Sequence, residues 1–216
     1  MKVYLKRAPY LLFLLIIPVL GLIYQLLNER SHKAVDFISP IDQSIPFVPI
    51  FIIPYILWYA YIFCYLVYFC FKDPKVYLKT LTLIAAGEMM CFVIYFFFQT
   101  TVPRPAVMGD DIISMMVQFV YTHDQPYNCF PSIHVLTTFA IMLASIHIKN
   151  KHMINTIMLH IGGTLIIIST LFVKQHVIFD MIGSMFLVAF LYGLSFELFS
   201  IRVPKKSETV YVKNKG

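Results

Sequence analysis

Apolar residues run along this chain in long unbroken stretches, not in the every-other-residue alternation of a half-buried strand. Stretches long enough for a helix to cross hydrocarbon, about 20 residues, fall at 9–27, 50–71, 78–99, 133–148, 153–173 and 177–199. Backbone inside a bilayer must satisfy its own polar groups, and these runs lack the short alternation of barrel strands, so each is expected to be a helix. The pattern predicts an all-α polytopic membrane protein, a six-transmembrane-helix bundle in a single domain over 1–216. The connection from Thr100 to Pro131 is long and has its own apolar patch at 112–120, which predicts an interfacial helix between spans three and four. The first connection, around 39–49, is rich in proline and is expected to lie over the membrane surface.

Composition agrees with the pattern. Of 216 residues 59% are hydrophobic and 13% charged, against about 25% charged in soluble domains, which excludes a water-soluble globule. The net charge of +6 does not form a basic face of the kind nucleic acid requires. Its cations sit in short clusters between apolar runs. Lys2, Lys6, Arg7, Lys72, Lys75, Lys79, Lys149, Lys151, Arg202, Lys205, Lys206, Lys213 and Lys215 fall at one set of helix ends, and only Arg30, Lys33, Arg104 and Lys174 at the other. The positive-inside rule makes the first set cytoplasmic, with both termini and a basic tail at 201–216 inside. A cell-membrane location, multi-pass, follows. The first apolar run has the charged start of a signal peptide but no small-residue cleavage site, so it is expected to be retained. Cys64, Cys70, Cys91 and Cys129 have neither metal-ligand spacing nor a disulfide framework.

Against this apolar background three polar stretches stand out: Pro103-Arg104-Pro105, Pro131-Ser132-Ile133-His134, and Ser169 through His176 to Asp180. The topology brings all three to the outer face. Two helices start there, and a helix N-terminus offers unpaired N–H groups and a positive dipole end, so beside Arg104 they make a cradle for phosphate. His176 and Asp180 are one helical turn apart, which lets the carboxylate hold one imidazole nitrogen and leave the other free to attack. His134, on another helix, is placed to donate a proton to a leaving oxygen. Each residue also has a structural reading. His176 and Asp180 could simply brace a helix end, Ser132 is a good N-cap, Lys174 could snorkel to headgroups, and Ser169 could bond a preceding carbonyl. Glu88, in mid-span, reads as a protonated or paired structural carboxylate, and His147 and His160 as structural.

Arg104-Pro105, Pro131-Ser132-x-His134 and Ser169-x6-His176-x3-Asp180 resemble the three signature blocks of the type 2 phosphatidic acid phosphatase superfamily, across residues 104–180. That resemblance implies a helical membrane enzyme needing no metal and no cofactor, which passes a phosphoryl group through a phosphohistidine. It implies His176 as nucleophile, Asp180 as its orienting carboxylate, His134 as general acid, and Arg104 and Ser132 as phosphate ligands. The pattern departs at three places. Phe97 stands where the first block has a lysine, Thr170 where the third has an arginine, and Ile133 where the second has a glycine; Lys174 is the candidate substitute cation. The Phe130-Pro131-Ser132-x-His134 form and the Gln175-His176 pair are more similar to the branch with inositol phosphorylceramide synthases. The expected partner is a phosphorylated membrane lipid in the bilayer, and the expected activity is lipid phosphate hydrolysis at the extracytoplasmic face. Transfer of the phosphoryl or headgroup to an alcohol stays open. So does a non-enzymatic transporter using Glu88 and His160, which the concentration of polar residues at one face disfavours.

Overall fold

A computed structural model describes residues 2–29 and 34–198; Arg30, Lys33 and the basic tail lie outside the described residues. The regular elements of the described chain are helices: α1 (Lys2–Arg7), α2 (Ile16–Asn28), α3 (Pro40–Ser44), α4 (Ile52–Lys72), α5 (Pro74–Phe97), α6 (Ile112–His123), α7 (Ile133–Ala144), α8 (Met153–Phe172) and α9 (Ile178–Tyr192). A 3-10 stretch, Ala8–Leu15, joins α1 to α2, and a π-helical stretch, Gly193–Leu198, follows α9.

Among the described residues, five helical segments are long and apolar enough to cross a membrane: Leu5–Asn28, Pro49–Lys72, Pro74–Phe97, Met153–Phe172 and Ile178–Phe196. The sixth apolar run forms a shorter helical segment, Ile133–His147. By helical rise it is about 22 Å long, short of the roughly 30 Å of a hydrocarbon core. Its surroundings account for this. α7 packs against α4, α5, α8 and α9 and is enclosed by protein on its long sides. α8 approaches closely through Gly163, where a Cβ would lie 2.7 Å from Met142 Sδ and 2.8 Å from the Tyr61 hydroxyl. Small residues at such crossings let two backbones meet. The patch at 112–120 is the helix α6, as its pattern predicts.

Side-chain caps fix where helices begin. Asp73 accepts from the N–H groups of Lys75 and Val76 ahead of α5, and Asp111 from those of Ile113 and Ser114 ahead of α6. Ser132 accepts from Val135 N–H ahead of α7, at 3.3 Å. At one end of the bundle Arg7 donates to the carbonyls of Phe71 and Lys72, and Lys151 to that of Ser145. The cations of this end thus satisfy orphaned helix-end carbonyls.

The opposite end is built from connections. Isolated bridges pair Val35 with Thr100 and Thr101 with Tyr127, and Val48 N–H donates to Phe172 O at 3.0 Å. The first connection folds inward over the α8–α9 junction. Ser39 and Asp42 cap α3 reciprocally, and the other oxygen of Asp42 accepts from Ile178 N–H at 2.8 Å, at the first turn of α9. Lys174, at a left-handed φ of 53°, donates to the carbonyls of Asp42 and Ile45 at 3.1 and 2.6 Å. A prolines-and-capping loop is thereby fastened onto the segment that carries His176.

Candidate active site

His176 sits in the five-residue connection between α8 and α9. Its N–H and that of Gln175 both bond to Thr170 O, at 3.1 and 3.0 Å, which holds the turn against the end of α8. Asp180 lies in the first turn of α9, 1% exposed. Its Oδ2 lies 3.3 Å from His176 Nδ1 and accepts from Val177 N–H at 3.0 Å. One carboxylate therefore caps the helix and orients the imidazole, leaving Nε2 as the free nitrogen. The bracing role and the orienting role coincide in one residue.

His134, in the first turn of α7, faces this pair, with its ring centroid 6.0 Å from that of His176. It lies against Trp58 and Tyr55 of α4, at 4.1 and 4.5 Å between centroids. Trp58 is fixed in turn by donating from Nε1 to Thr137 Oγ1 at 2.9 Å. Ser132 is fully buried. Its hydroxyl caps α7, and its carbonyl accepts from Ser184 Oγ of α9 at 2.9 Å, so the two histidine-bearing helix starts are pinned together.

Arg104 comes from the connection after α5. It donates from one terminal nitrogen to the carbonyls of Asp124 and Tyr121, at 2.7 and 3.3 Å, and from the other to Gln175 Oε1. Its guanidinium lies 4.6 Å from the centre of the Tyr121 ring. Burial pushes the Tyr121 phenol up to about 12 against the opposing pull of Arg104, so the hydroxyl stays a neutral donor, to Val173 O at 2.7 Å. Arg104 Nε is buried and has no partner.

Two openings meet at His176. One is a polar cleft of about 10 Å³, bordered by Arg104, Gln175, His176, Asp124, Cys129 and Tyr24 among others. The other is a largely apolar cavity of about 300 Å³ beneath the first connection, bordered by Ile38, Phe47, Val102, Pro105, Lys174 and His176 among others. The structure thus brings together Arg104, His134, His176 and Asp180, with Ser132 directly beneath. Lys174 borders the larger cavity, with its ammonium tied to two carbonyls. Ser169 bonds back to Ile166 O at 2.6 Å, inside α8. Glu88 is buried within α5.

Several residues around the site were not singled out by the sequence. Asp124 accepts from the Tyr24 hydroxyl at 2.7 Å, Asn28 Nδ2 at 3.2 Å and the Tyr55 hydroxyl at 3.3 Å. Asp42 did carry a signal, the Ser-x-x-Asp spacing of a helix cap; Asp124 carried none, because its partners lie on helices far away in the chain. For metal, Cys129, His176 and Asp180 offer ligand atoms within 4.8 Å of one another. Burial, with Asp180 adding to it, pushes the Cys129 thiol well above the ordinary thiol range. The thiolate is the ligand form, so a metal ion held by this set would have to deprotonate the thiol as it binds.

Compared with known proteins, residues 76–204 match the family model described as PAP2 superfamily. The matched stretch is more than half of the chain and holds every residue of the constellation. No curated protein and no solved structure gives a significant match.

Proposed function

The chain belongs to the PAP2 superfamily, a membership that implies phosphatase or related phosphotransferase activity in a membrane protein, and from that premise we propose an integral-membrane lipid phosphate phosphatase acting through His176. The observation that carries the reading is the meeting of His134 and His176, 6.0 Å apart between ring centroids, with Asp180 on the far nitrogen of His176 and Arg104 at the same end of the bundle. In this reading the phosphoryl group is held by Arg104 and by donors at the start of α7 around Ser132. His176 Nε2 attacks phosphorus, an N–P bond forms, and the P–O bond to the lipid breaks as His134 gives its proton to the departing oxygen. His134 then takes a proton from water, whose oxygen displaces the imidazole and releases phosphate. Asp180 stabilises the imidazole as it gains positive charge. The cradle acts on charge that develops in transfer, where each fixed donor is worth a few kcal/mol.

Lys174 would reach a phosphate only by exchanging its two carbonyl partners, and in this reading it fastens the first connection. The Lys and Arg distribution supports a site at the extracytoplasmic face of a cell membrane, with the termini cytoplasmic. The substrates that fit are lipid phosphomonoesters or diphosphates. The test is phosphate release from a panel of lipid phosphates by the purified protein in EDTA. Release that persists under chelation and vanishes in His176→Ala supports the reading, and near-normal turnover in that variant overturns it.

One observation favours a second reading, transfer to an alcohol. The 300 Å³ cavity borders His176 and has room for an acceptor. Labelled lipid phosphate with candidate alcohols separates the two: free phosphate alone means hydrolysis, and a new headgroup lipid means transfer.

A further inference from the structure

Gln175 stands immediately before the nucleophile and is 2% exposed. Its Oε1 accepts from Arg104. Arginine only donates, so the atom facing it must be the amide oxygen, and the orientation of the amide is fixed. The NH2 group is then left buried, and it has no partner. Arg104 Nε is in the same condition. Both residues border the polar cleft that also touches His176. An unpaired buried donor costs about 1–3 kcal/mol, and two on residues that border one cleft require an explanation. Asn128 Nδ2 is also buried without a partner, but Asn128 does not border the cleft.

The acceptors already at the cleft do not supply the missing bonds. The Asp124 carboxylate is engaged by Tyr24, Asn28 and Tyr55, and its carbonyl by Arg104. Asp180, which does not border the cleft, is engaged by His176 and Val177. At about 10 Å³ the cleft as it stands admits no more than one water, so a group with acceptor oxygens and negative charge enters beside the guanidinium by displacing that water and widening the cleft.

Resting on the reading of this site as a phosphoryl-transfer centre, we infer that Gln175 is a phosphate-binding residue, donating from Nε2 to the anion that Arg104 also holds. It supplies a neutral donor in a cleft whose only bordering Lys or Arg, among the described residues, is Arg104. Binding the anion satisfies both orphaned donors at once, and the Arg104–Gln175 bond keeps them at a fixed separation.

The chain reports on its own site, because its single tryptophan, Trp58, packs on His134. Titrating inorganic phosphate into the full chain in detergent micelles while following Trp58 emission gives a dissociation constant that needs no turnover. Gln175→Glu keeps an acceptor facing Arg104 and removes the donor; Gln175→Met removes both. Loss of a hydrogen bond to a charged group corresponds to roughly a 10- to 100-fold weakening. The expected result is weakening in that range in both variants, larger in Gln175→Glu, with thermal melting close to that of the parent in Gln175→Glu, which keeps the acceptor for Arg104, and lowered in Gln175→Met. A dissociation constant within twofold of the parent in either folded variant overturns the assignment of Gln175. Were the parent itself not to bind phosphate while His176→Ala stayed active, the phosphoryl-transfer reading would be what had failed.

Discussion

The first span and α7 are both apolar helices, yet they do opposite jobs. Leu5–Asn28 is the most apolar of the five long segments, but none of Ala8–Leu15 is buried and only Leu20 and Asn28 of α2 are. α7 is too short to span hydrocarbon alone, and eight of its twelve residues are buried. Apolarity in a membrane protein therefore marks two environments that hydropathy does not distinguish, lipid and packed protein. A helix ringed by four others need not match the bilayer, and it can carry Thr137 inside, because that hydroxyl bonds to Ile133 O at 2.8 Å and receives Trp58. The proposed chemistry belongs with the packed helix, where neighbours hold a side chain to a fraction of an ångström.

The largest expected effect tests that placement. His176→Ala should lower phosphate release by about a thousandfold or more, while Leu26→Ala, at an exposed position of the first span, should leave it within twofold. Comparable losses in the two would erase the functional side of the contrast. The structural side is tested next. Leu136 of α7 is fully buried, so Leu136→Ala should destabilise by about 2–5 kcal/mol. Leu22→Ala on the first span, at a position 63% exposed, should cost no more than about 0.5 kcal/mol. Denaturant unfolding in mixed micelles measures both.

Much of this contrast was legible in the sequence, for identifiable reasons. Runs of about 20 apolar residues reveal spans, and the one-turn spacing of His176 and Asp180 reveals a pair that the structure places 3.3 Å apart. Arg104 and His134 were legible as polar residues kept where an apolar chain has little use for them. What was not legible depends on contacts between distant segments. Nothing local says that the run starting at Ile133 is central and the run ending at Asn28 peripheral. Asp124 is silent because its partners, Tyr24, Asn28 and Tyr55, are on other helices, and Lys174 reads as a free cation until the first connection folds onto it.

That connection supplies the next effect in size. Burial alone would raise the Asp42 carboxyl, but hydrogen bonds from Ser39 and from Ile178 N–H, with the charge of Lys174, together hold it below the usual carboxylate value. A carboxyl lowered by folding contributes stability above its unfolded value and loses it as pH falls through the folded one. The clasp should therefore hold across neutral pH and release only below about pH 4. Asp42→Ala should lower stability at pH 7 by about 1–3 kcal/mol, and the difference from the parent should shrink toward pH 3. A difference that grows on acidification would reject this account. In terms of the contrast, Asp42 extends the fixed region outward from α7 and α9 into a loop.

The smallest effect probes where the two regions touch. The C-terminal end of the first span donates from the Tyr24 hydroxyl and Asn28 Nδ2 to Asp124, whose carbonyl holds Arg104 at 2.7 Å. Tyr24→Phe removes one of three bonds to that carboxylate and leaves the ring, which packs edge-on against Tyr95. The cost should be about 0.5–1.5 kcal/mol, with a rise of a few fold in KM for lipid phosphate and kcat little changed, because in the proposed mechanism Arg104 binds the anion without taking part in proton transfer. Were Tyr24→Phe as silent as Leu26→Ala, the first span would be a lipid-facing helix along its whole length. A loss as large as that of Leu136→Ala would instead make its C-terminal end part of the core. The intermediate outcome is the one the hydrogen bonds support, since a helix that packs loosely along its length is tied to the site only at its tip.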